Sequence, residues 1–153
     1  MMHLKVGDKA PEFNGKIQDG TFVTNKDYLG KKLIFFIYPK DNTPGCNNEN
    51  CNLRDNYAIL KEKGFELLGL SADSIEKHTK FREKYSLPFD LIADEDKTIL
   101  NAFGVWGLKK FMGKEYDGIH RTTFIINEEG IITNIYNKVK TKEHAEQILA
   151  DFE

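Results

Sequence analysis

Cysteine is scarce in this chain of 153 residues, which has only two, Cys46 and Cys51. A structural bridge is a poor use of both in a reducing compartment, so reactivity is the first reading. Charge of one sign is also missing: 22 Lys+Arg stand against 24 Asp+Glu, a formal net charge of −2. That balance argues against an obligate nucleic-acid partner, which usually meets a basic face, although a local basic patch stays open. The longest apolar run, Leu33-Ile34-Phe35-Phe36-Ile37-Tyr38, is far short of the roughly 20 residues of a membrane-spanning helix. Met1 to Asp8 carry one Lys and no apolar stretch like a signal-peptide core, so a cytoplasmic protein with no membrane partner is expected. Repeats, low-complexity tracts and long Gly/Ser/Pro linkers are absent too, which leaves a single domain over 1–153 as the expectation.

What is present suits a soluble core, with 40% hydrophobic and 30% charged residues. A chain of this length buries roughly 68–70% of its unfolded surface and needs neither disulfides nor a structural metal to fold. Ile17 and Phe22-Val23 around Gln18-Asp19-Gly20 predict a short hairpin. Leu33–Tyr38, between Gly30 and Pro39, reads as a strand buried on both faces. A helix follows, with Thr43 as N-cap, Pro44 at its first position, Leu53, Tyr57 and Leu60 at helical spacing, and Gly64 as its stop. Phe65–Leu70 is a second strand, and Ser74 opens a helix through His78, Phe81 and Tyr85 that Pro88 ends. A short strand at Leu91-Ile92-Ala93 and a short helix over Lys97–Phe103 come next, then a loop from Gly104 to Gly118. Thr122–Ile126 and Ile131–Tyr136 flank Asn127-Glu128-Glu129-Gly130 as a hairpin, and Lys142–Phe152 is a final helix. Alternating strands and helices, then a hairpin and a last helix, give an α/β fold: a central mixed sheet with helices on both faces.

The chemistry concentrates where the first long strand ends and its helix begins, an edge that favours ligand sites in open α/β sheets. Cys46 falls in the first helical turn, where unpaired N–H groups and the positive end of the dipole favour a thiolate. The alternative is a buried, inert cysteine that packs as a small hydrophobe. Thr43 has a plain alternative as an N-cap, Arg121 as a surface cation and Glu49 as a solvated carboxylate. The histidines, His3, His78, His120 and His144, are scattered, and a Cys-x4-Cys pair without well-spaced partners is poor evidence for zinc. Trp106, Phe111, Met112 and Tyr116 form an aromatic-rich stretch that could line an entrance or simply pack. Asp94-Glu95-Asp96 reads most simply as a solvated acidic turn.

Pro39-x-x-x-Thr43-x-x-Cys46, with Cys51 five residues on and Arg121 distant in sequence, resembles a peroxiredoxin of the bacterioferritin-comigratory (PrxQ) subgroup. The likeness runs from Gly7-Asp8-x-Ala10-Pro11-x-Phe13 through Phe36-x-Tyr38-Pro39-Lys40-Asp41-x-Thr43-Pro44-Gly45-Cys46 to Gly113-Lys114 and Arg121-x-x-Phe124. It implies a thioredoxin-like fold and thiol peroxidase activity, with Cys46 as peroxidatic and Cys51 as resolving residue. Pro39, Thr43, the Cys46 backbone N–H and Arg121 would surround the peroxide, and Glu49 would orient Arg121. The resemblance further implies thioredoxin or a similar dithiol as reductant, and no metal, haem or flavin cofactor. Related sequences often carry Thr after the peroxidatic cysteine, where this one has Asn47-Asn48. With no obvious apolar face demanding a dimer, a monomer is expected. Two other readings stay open: a thiol-disulfide oxidoreductase, disfavoured because its usual Cys-x-x-Cys is absent, and a redox sensor that is oxidised once.

The residue types fit that chemistry. An ordinary thiol with a pKa of about 8.5 is only about 3% ionised at pH 7. A cation about 4 Å from the sulfur supplies about 4 kcal/mol at an effective dielectric of about 20. Lowering a thiol's pKa also lowers its nucleophilicity, so ionisation recovers only part of the rate. The remainder must come from donors aimed at the oxygen that gains negative charge, a task for which the planar fork of Arg suits better than Lys. Cys46 and Cys51 on one regular helix would have Cα atoms roughly 8.7 Å apart, against about 4.4–6.8 Å for a disulfide. Joining them would unwind that helix, with Asn47, Asn48, Glu49 and Asn50 losing helical geometry.

Overall fold

A computed structural model describes residues 3–152. Met1, Met2 and Glu153, which the single-domain expectation includes, lie outside the described residues. The sheet has five strands in the order β5-β4-β3-β8-β9. Its centre is β3 (Lys32–Ile37), parallel to β4 (Phe65–Ser71) and antiparallel to β8 (Thr122–Ile126). Outside these lie β5 (Asp90–Ala93), parallel to β4, and β9 (Ile132–Tyr136), antiparallel to β8. The strand expected at Leu33–Tyr38 is buried throughout because both its neighbours and both its faces are covered.

Alternation along β3 divides the core in two. Leu33, Phe35 and Ile37 join one cluster, with Leu100 and Phe103 from the α4 segment (helix Thr98–Ala102) and Phe13 from the N-terminal stretch. Ile34, Phe36 and Tyr38 join the other. There they meet Leu53 of α1 (Pro44–Asp55), Leu60 of α2 (Tyr57–Glu62), Phe81 of α3 (Ile75–Tyr85) and Ile148 of α5 (His144–Ala150). Helices therefore cover both faces, unevenly. The N-terminal hairpin pairs β1 (Asn14–Lys16) with β2 (Phe22–Thr24), its first strand lying just before the expected Ile17.

Three expectations need correction. The helix expected to run unbroken from Thr43 to Gly64 is interrupted at Asn56, whose backbone N–H and side-chain Nδ2 both donate to the Asn52 carbonyl at 3.2 and 2.9 Å. The first is an ordinary helical bond and the second shares its carbonyl; the backbone at Asn56, φ −106° and ψ 10°, leaves helical geometry and α2 begins afresh. The expected loop from Gly104 to Gly118 is instead a second hairpin of β6 (Trp106–Phe111) and β7 (Lys114–Ile119). Its turn residues Met112 and Gly113 both have positive φ, 52° and 80°, as a two-residue type I′ turn demands. Asp94 is not a solvated turn residue: it is buried, and its carboxylate accepts the Ile99 and Leu100 N–H groups at the start of α4. Burial pushes its pKa up from the usual value, against the pull of those bonds.

Candidate active site

The end of β3 and the start of α1 are joined by the loop Tyr38–Thr43. Thr43 is the N-cap, with extended φ −119° and ψ 151°, and Pro44 occupies the first helical position, where its missing N–H costs nothing. The first bond of the helical ladder runs from Asn47 N–H to the Thr43 carbonyl at 2.7 Å. The Cys46 N–H therefore stands ahead of the ladder, free to act as a donor. Thr43 does not cap with its side chain: its hydroxyl donates to the Lys40 carbonyl at 2.8 Å. With its hydrogen committed to Lys40, the Thr43 oxygen keeps acceptor capacity for a substrate O–H.

Arg121 reaches this edge through register. Thr122 pairs with Ile37 across the antiparallel β3–β8 ladder, so the preceding residue lies beside the C-terminal end of β3. From there Arg121 Nη2 donates to Cys46 Sγ at 3.3 Å and Nη1 to Glu49 Oε1 at 2.5 Å. Glu49 follows Cys46 by three residues on α1 and shares its inward face. Cys46 and Glu49 are 1% and 0% exposed, so neither the inert-surface reading of Arg121 nor the solvated reading of Glu49 describes the fold. Gly45 completes the cradle, since a Cβ there would stand 3.2 Å from Arg121 Nη2.

Burial is the largest influence on Arg121 and opposes its charge, but the Glu49 carboxylate and the Cys46 sulfur outweigh it and hold the guanidinium's pKa above its ordinary value. Burial likewise dominates Glu49, pushing its pKa up to about 7 despite the attraction of Arg121. Behind Glu49 stands His144. Its Nδ1 meets Gln147 Oε1 at 2.9 Å and its Nε2 meets the Thr123 hydroxyl at 2.8 Å. Gln147 Oε1 also accepts the Lys140 N–H while its Nε2 donates to Lys138, which fixes that amide. Oε1 can only accept, so His144 carries its proton on Nδ1 and Nε2 accepts from Thr123. Burial holds this histidine neutral, with its pKa lowered to about 4. Its Nε2 lies 3.9 Å from Glu49 Oε2, which has no hydrogen-bond partner among the described residues.

Of the residues expected at the site, Cys46, Arg121 and Glu49 form one connected group. Thr43 stands at the N-cap of the same helix, and Pro39 is half-buried two residues past the end of β3. Cys51 lies on α1 with Cys46, both as free thiols, and burial raises the Cys51 pKa above its usual value. The aromatic stretch does not join them as a unit. Trp106 packs against the Phe35 side of the core, while Phe111, Met112 and Tyr116 are exposed on the hairpin. Sequence reasoning missed a buried cluster behind the loop: Asp41, Asp73 and His78 approach within 4.8 Å of one another. Their facing atoms hydrogen-bond one another or the loop, Asp41 to His78 and Asp73 to the Asp41 N–H.

The AhpC/TSA family model matches residues 6–135. Peroxiredoxin Bcp of Escherichia coli K12 is 46% identical over 149 residues, covering 97% of this chain and 96% of its own. The bacterioferritin comigratory protein of Xanthomonas campestris, solved in connection with its alkyl peroxide reduction activity, superposes with a TM-score of 0.87 at 31% identity, covering 99% of this chain and 96% of its own. A PrxQ mutant from Xylella fastidiosa superposes with a TM-score of 0.92 at 29% identity over 99% of this chain and 97% of its own.

Proposed function

The chain belongs to the AhpC/TSA family, with peroxiredoxins of the Bcp type as its relatives, and from that premise we propose that it is a thiol-dependent peroxidase that reduces hydrogen peroxide and alkyl hydroperoxides at Cys46. The observation that carries this reading is the Arg121 guanidinium, anchored by buried Glu49, on the sulfur of a first-turn cysteine. The guanidinium holds the sulfur by a charge-assisted hydrogen bond and stands where negative charge grows during the reaction.

The thiolate attacks the terminal peroxide oxygen, an S–O bond forms as the O–O bond breaks, and the departing RO⁻ takes a proton from solvent. Cys46 leaves as sulfenic acid. Negative charge grows on the departing oxygen, where Arg121 and the Cys46 N–H act as donors, while the Thr43 oxygen accepts the substrate O–H and aligns it. Pro39 limits water at the sulfur. The Cys51 thiol then attacks the sulfenic sulfur, expelling water and forming the Cys46–Cys51 disulfide. A dithiol protein of the thioredoxin type restores both thiols by exchange. We assign the whole chain to one thioredoxin-like domain acting as a cytoplasmic monomer, a location consistent with the lack of any membrane-crossing helix among the described residues.

Stopped-flow oxidation with hydrogen and alkyl hydroperoxides, followed by mass spectrometry, tests the assignment. Cys46→Ser should abolish reduction, and Cys51→Ser should complete one turnover and accumulate sulfenic acid. Equal single-turnover rates for wild type and Cys46→Ser would sink it. Sustained consumption with excess dithiol separates a peroxidase from a sensor that is oxidised once.

A further inference from the structure

The loop that presents Thr43 has no ladder of its own, yet it contains Asn42 in a left-handed conformation, φ 58°. Such a loop keeps its shape only where its surroundings over-determine it. Asn42 Oδ1 accepts from Lys84 Nζ at 3.0 Å at the exposed surface, and the interior anchor is the residue before it. Asp41 is 7% exposed and is held from three directions. Its Oδ1 accepts the Tyr38 hydroxyl at 2.5 Å, its Oδ2 meets His78 Nδ1 at 2.6 Å, and its N–H donates to Asp73 Oδ2 at 2.8 Å. Asp73 is itself set by the Ser71 hydroxyl at 2.6 Å.

His78 is wholly buried on α3, and its Nε2 lies 2.9 Å from the Ile92 carbonyl. A carbonyl can only accept, so Nε2 carries a proton, and the short Nδ1–Asp41 contact holds one more between its two heavy atoms. His78 thus spans from β5 to the loop and fixes one carboxylate oxygen, while Tyr38 fixes the other. Neither side chain touches Cys46, Arg121 or Glu49 by any hydrogen bond among the described residues.

We infer that His78 is a positioning residue for peroxide reduction, holding Asp41 and through it the Asn42-Thr43 turn, so that the Thr43 hydroxyl meets the peroxide in line with the Cys46 sulfur. The inference rests on the peroxidase reading. It separates two properties of the same sulfur. Its reaction with a simple alkylating agent involves the sulfur and its Arg121 contact alone, whereas its reaction with peroxide also needs Thr43 in place. A displacement of about 1 Å away from the reacting atoms can cost about 100-fold in rate.

The test compares two reactions of reduced Cys46 in wild type and in His78→Leu, His78→Asn and Tyr38→Phe. Stopped-flow oxidation by hydrogen peroxide reads the complete site, and alkylation by iodoacetamide reads the sulfur alone. His78→Leu should lower the peroxide rate constant by about 10–100-fold while alkylation changes less than about 2-fold. His78→Asn, which keeps an N–H donor toward Asp41, should recover to within about 3-fold of wild type, and Tyr38→Phe should fall between. Circular dichroism and thermal melts check folding, and if His78→Leu does not fold, Tyr38→Phe and His78→Asn decide the matter alone. A folded His78→Leu or Tyr38→Phe with both rates unchanged, or with both falling in step, overturns the positioning role. Wild-type protein that reacts with peroxide without needing Cys46 overturns the peroxidase reading, and the inference with it.

Discussion

Replacing Glu49 with Gln should change how stability depends on pH, with a sign set by the burial of one carboxyl. Folding raises the Glu49 pKa from an ordinary 4.5 to about 7, so between those values the folded chain keeps a proton that the unfolded chain has released. Folding then takes up a proton, and the Glu49 contribution falls as pH rises across this window, by on the order of 3 kcal/mol in all. His144 works in the opposite sense. Its pKa drops from 6.5 to about 4 on folding, so the unfolded chain binds the extra proton there and stability rises with pH. From about pH 4.5 to 6.5 the two slopes oppose each other in wild type, and Glu49→Gln leaves His144 unopposed. Subtracting wild-type from variant unfolding free energies cancels the groups remote from Glu49. The difference should climb by on the order of 3 kcal/mol between pH 4.5 and 7, about 6–12 °C in relative Tm for a chain of this size. Urea or thermal unfolding at half-unit pH steps measures it. A flat difference curve, or one that falls with pH, would refute the reasoning.

Gly45→Ala should trade activity for stability. Removing a helical glycine gains about 0.5–1 kcal/mol, but the new methyl, 3.2 Å from Arg121 Nη2, presses on a guanidinium already pinned by Glu49. A several-fold lower peroxide rate with an equal or higher Tm is expected, and an unchanged rate would show that Arg121 has room to shift. Oxidation by one equivalent of peroxide should speed amide exchange across residues 47–51 by at least about 100-fold, equivalent to about 3 kcal/mol of lost local protection, while β3 stays protected. Within that segment Asn47 Oδ1, Glu49 Oε2 and Asn50 Oδ1 are buried without a hydrogen-bond partner, so its helical form is held less firmly than its length suggests. A confirmed Cys46–Cys51 bond with exchange unchanged would disprove the coupling.

Much of this was legible in the residues themselves. The apolar block at Leu33–Tyr38, bounded by Gly30 and Pro39, read as a central strand, and Thr-Pro-Gly-Cys marked a helix start with the cysteine in its first turn. Family resemblance supplied Arg121, whose position depends on a β3–β8 register that spacing does not reveal. The β6–β7 hairpin stayed hidden because Leu108, Phe111, Met112 and Tyr116 are exposed, leaving none of the inward-outward alternation that marks a half-buried strand. The break at Asn56 turns on a side chain reaching one carbonyl, and sequence periodicity is blind to that. His78 and His144 looked scattered because their partners, Asp41, Ile92, Thr123 and Gln147, come from four different segments.

Asn52 decides which of the two sulfurs travels. Immediately after Cys51, its Nδ2 donates to the Lys142 carbonyl and to Glu146, and its Oδ1 accepts the Ala145 N–H at 2.7 Å. Leu53, beside it, is wholly buried. In the proposed cycle, unwinding of α1 would therefore stop at Cys51, beside the Asn52 anchor to α5, and Cys46 would make the journey. That journey sets a deadline. In that cycle, a Cys46 sulfenic acid would stay beside Arg121 until it moved, and a second peroxide could carry it to the irreversible sulfinic state. Substitutions that stiffen residues 47–50 should lengthen that exposure and make the protein easier to inactivate with excess peroxide. Those that loosen the Asn52 clamp should blur the boundary and let both sulfurs wander.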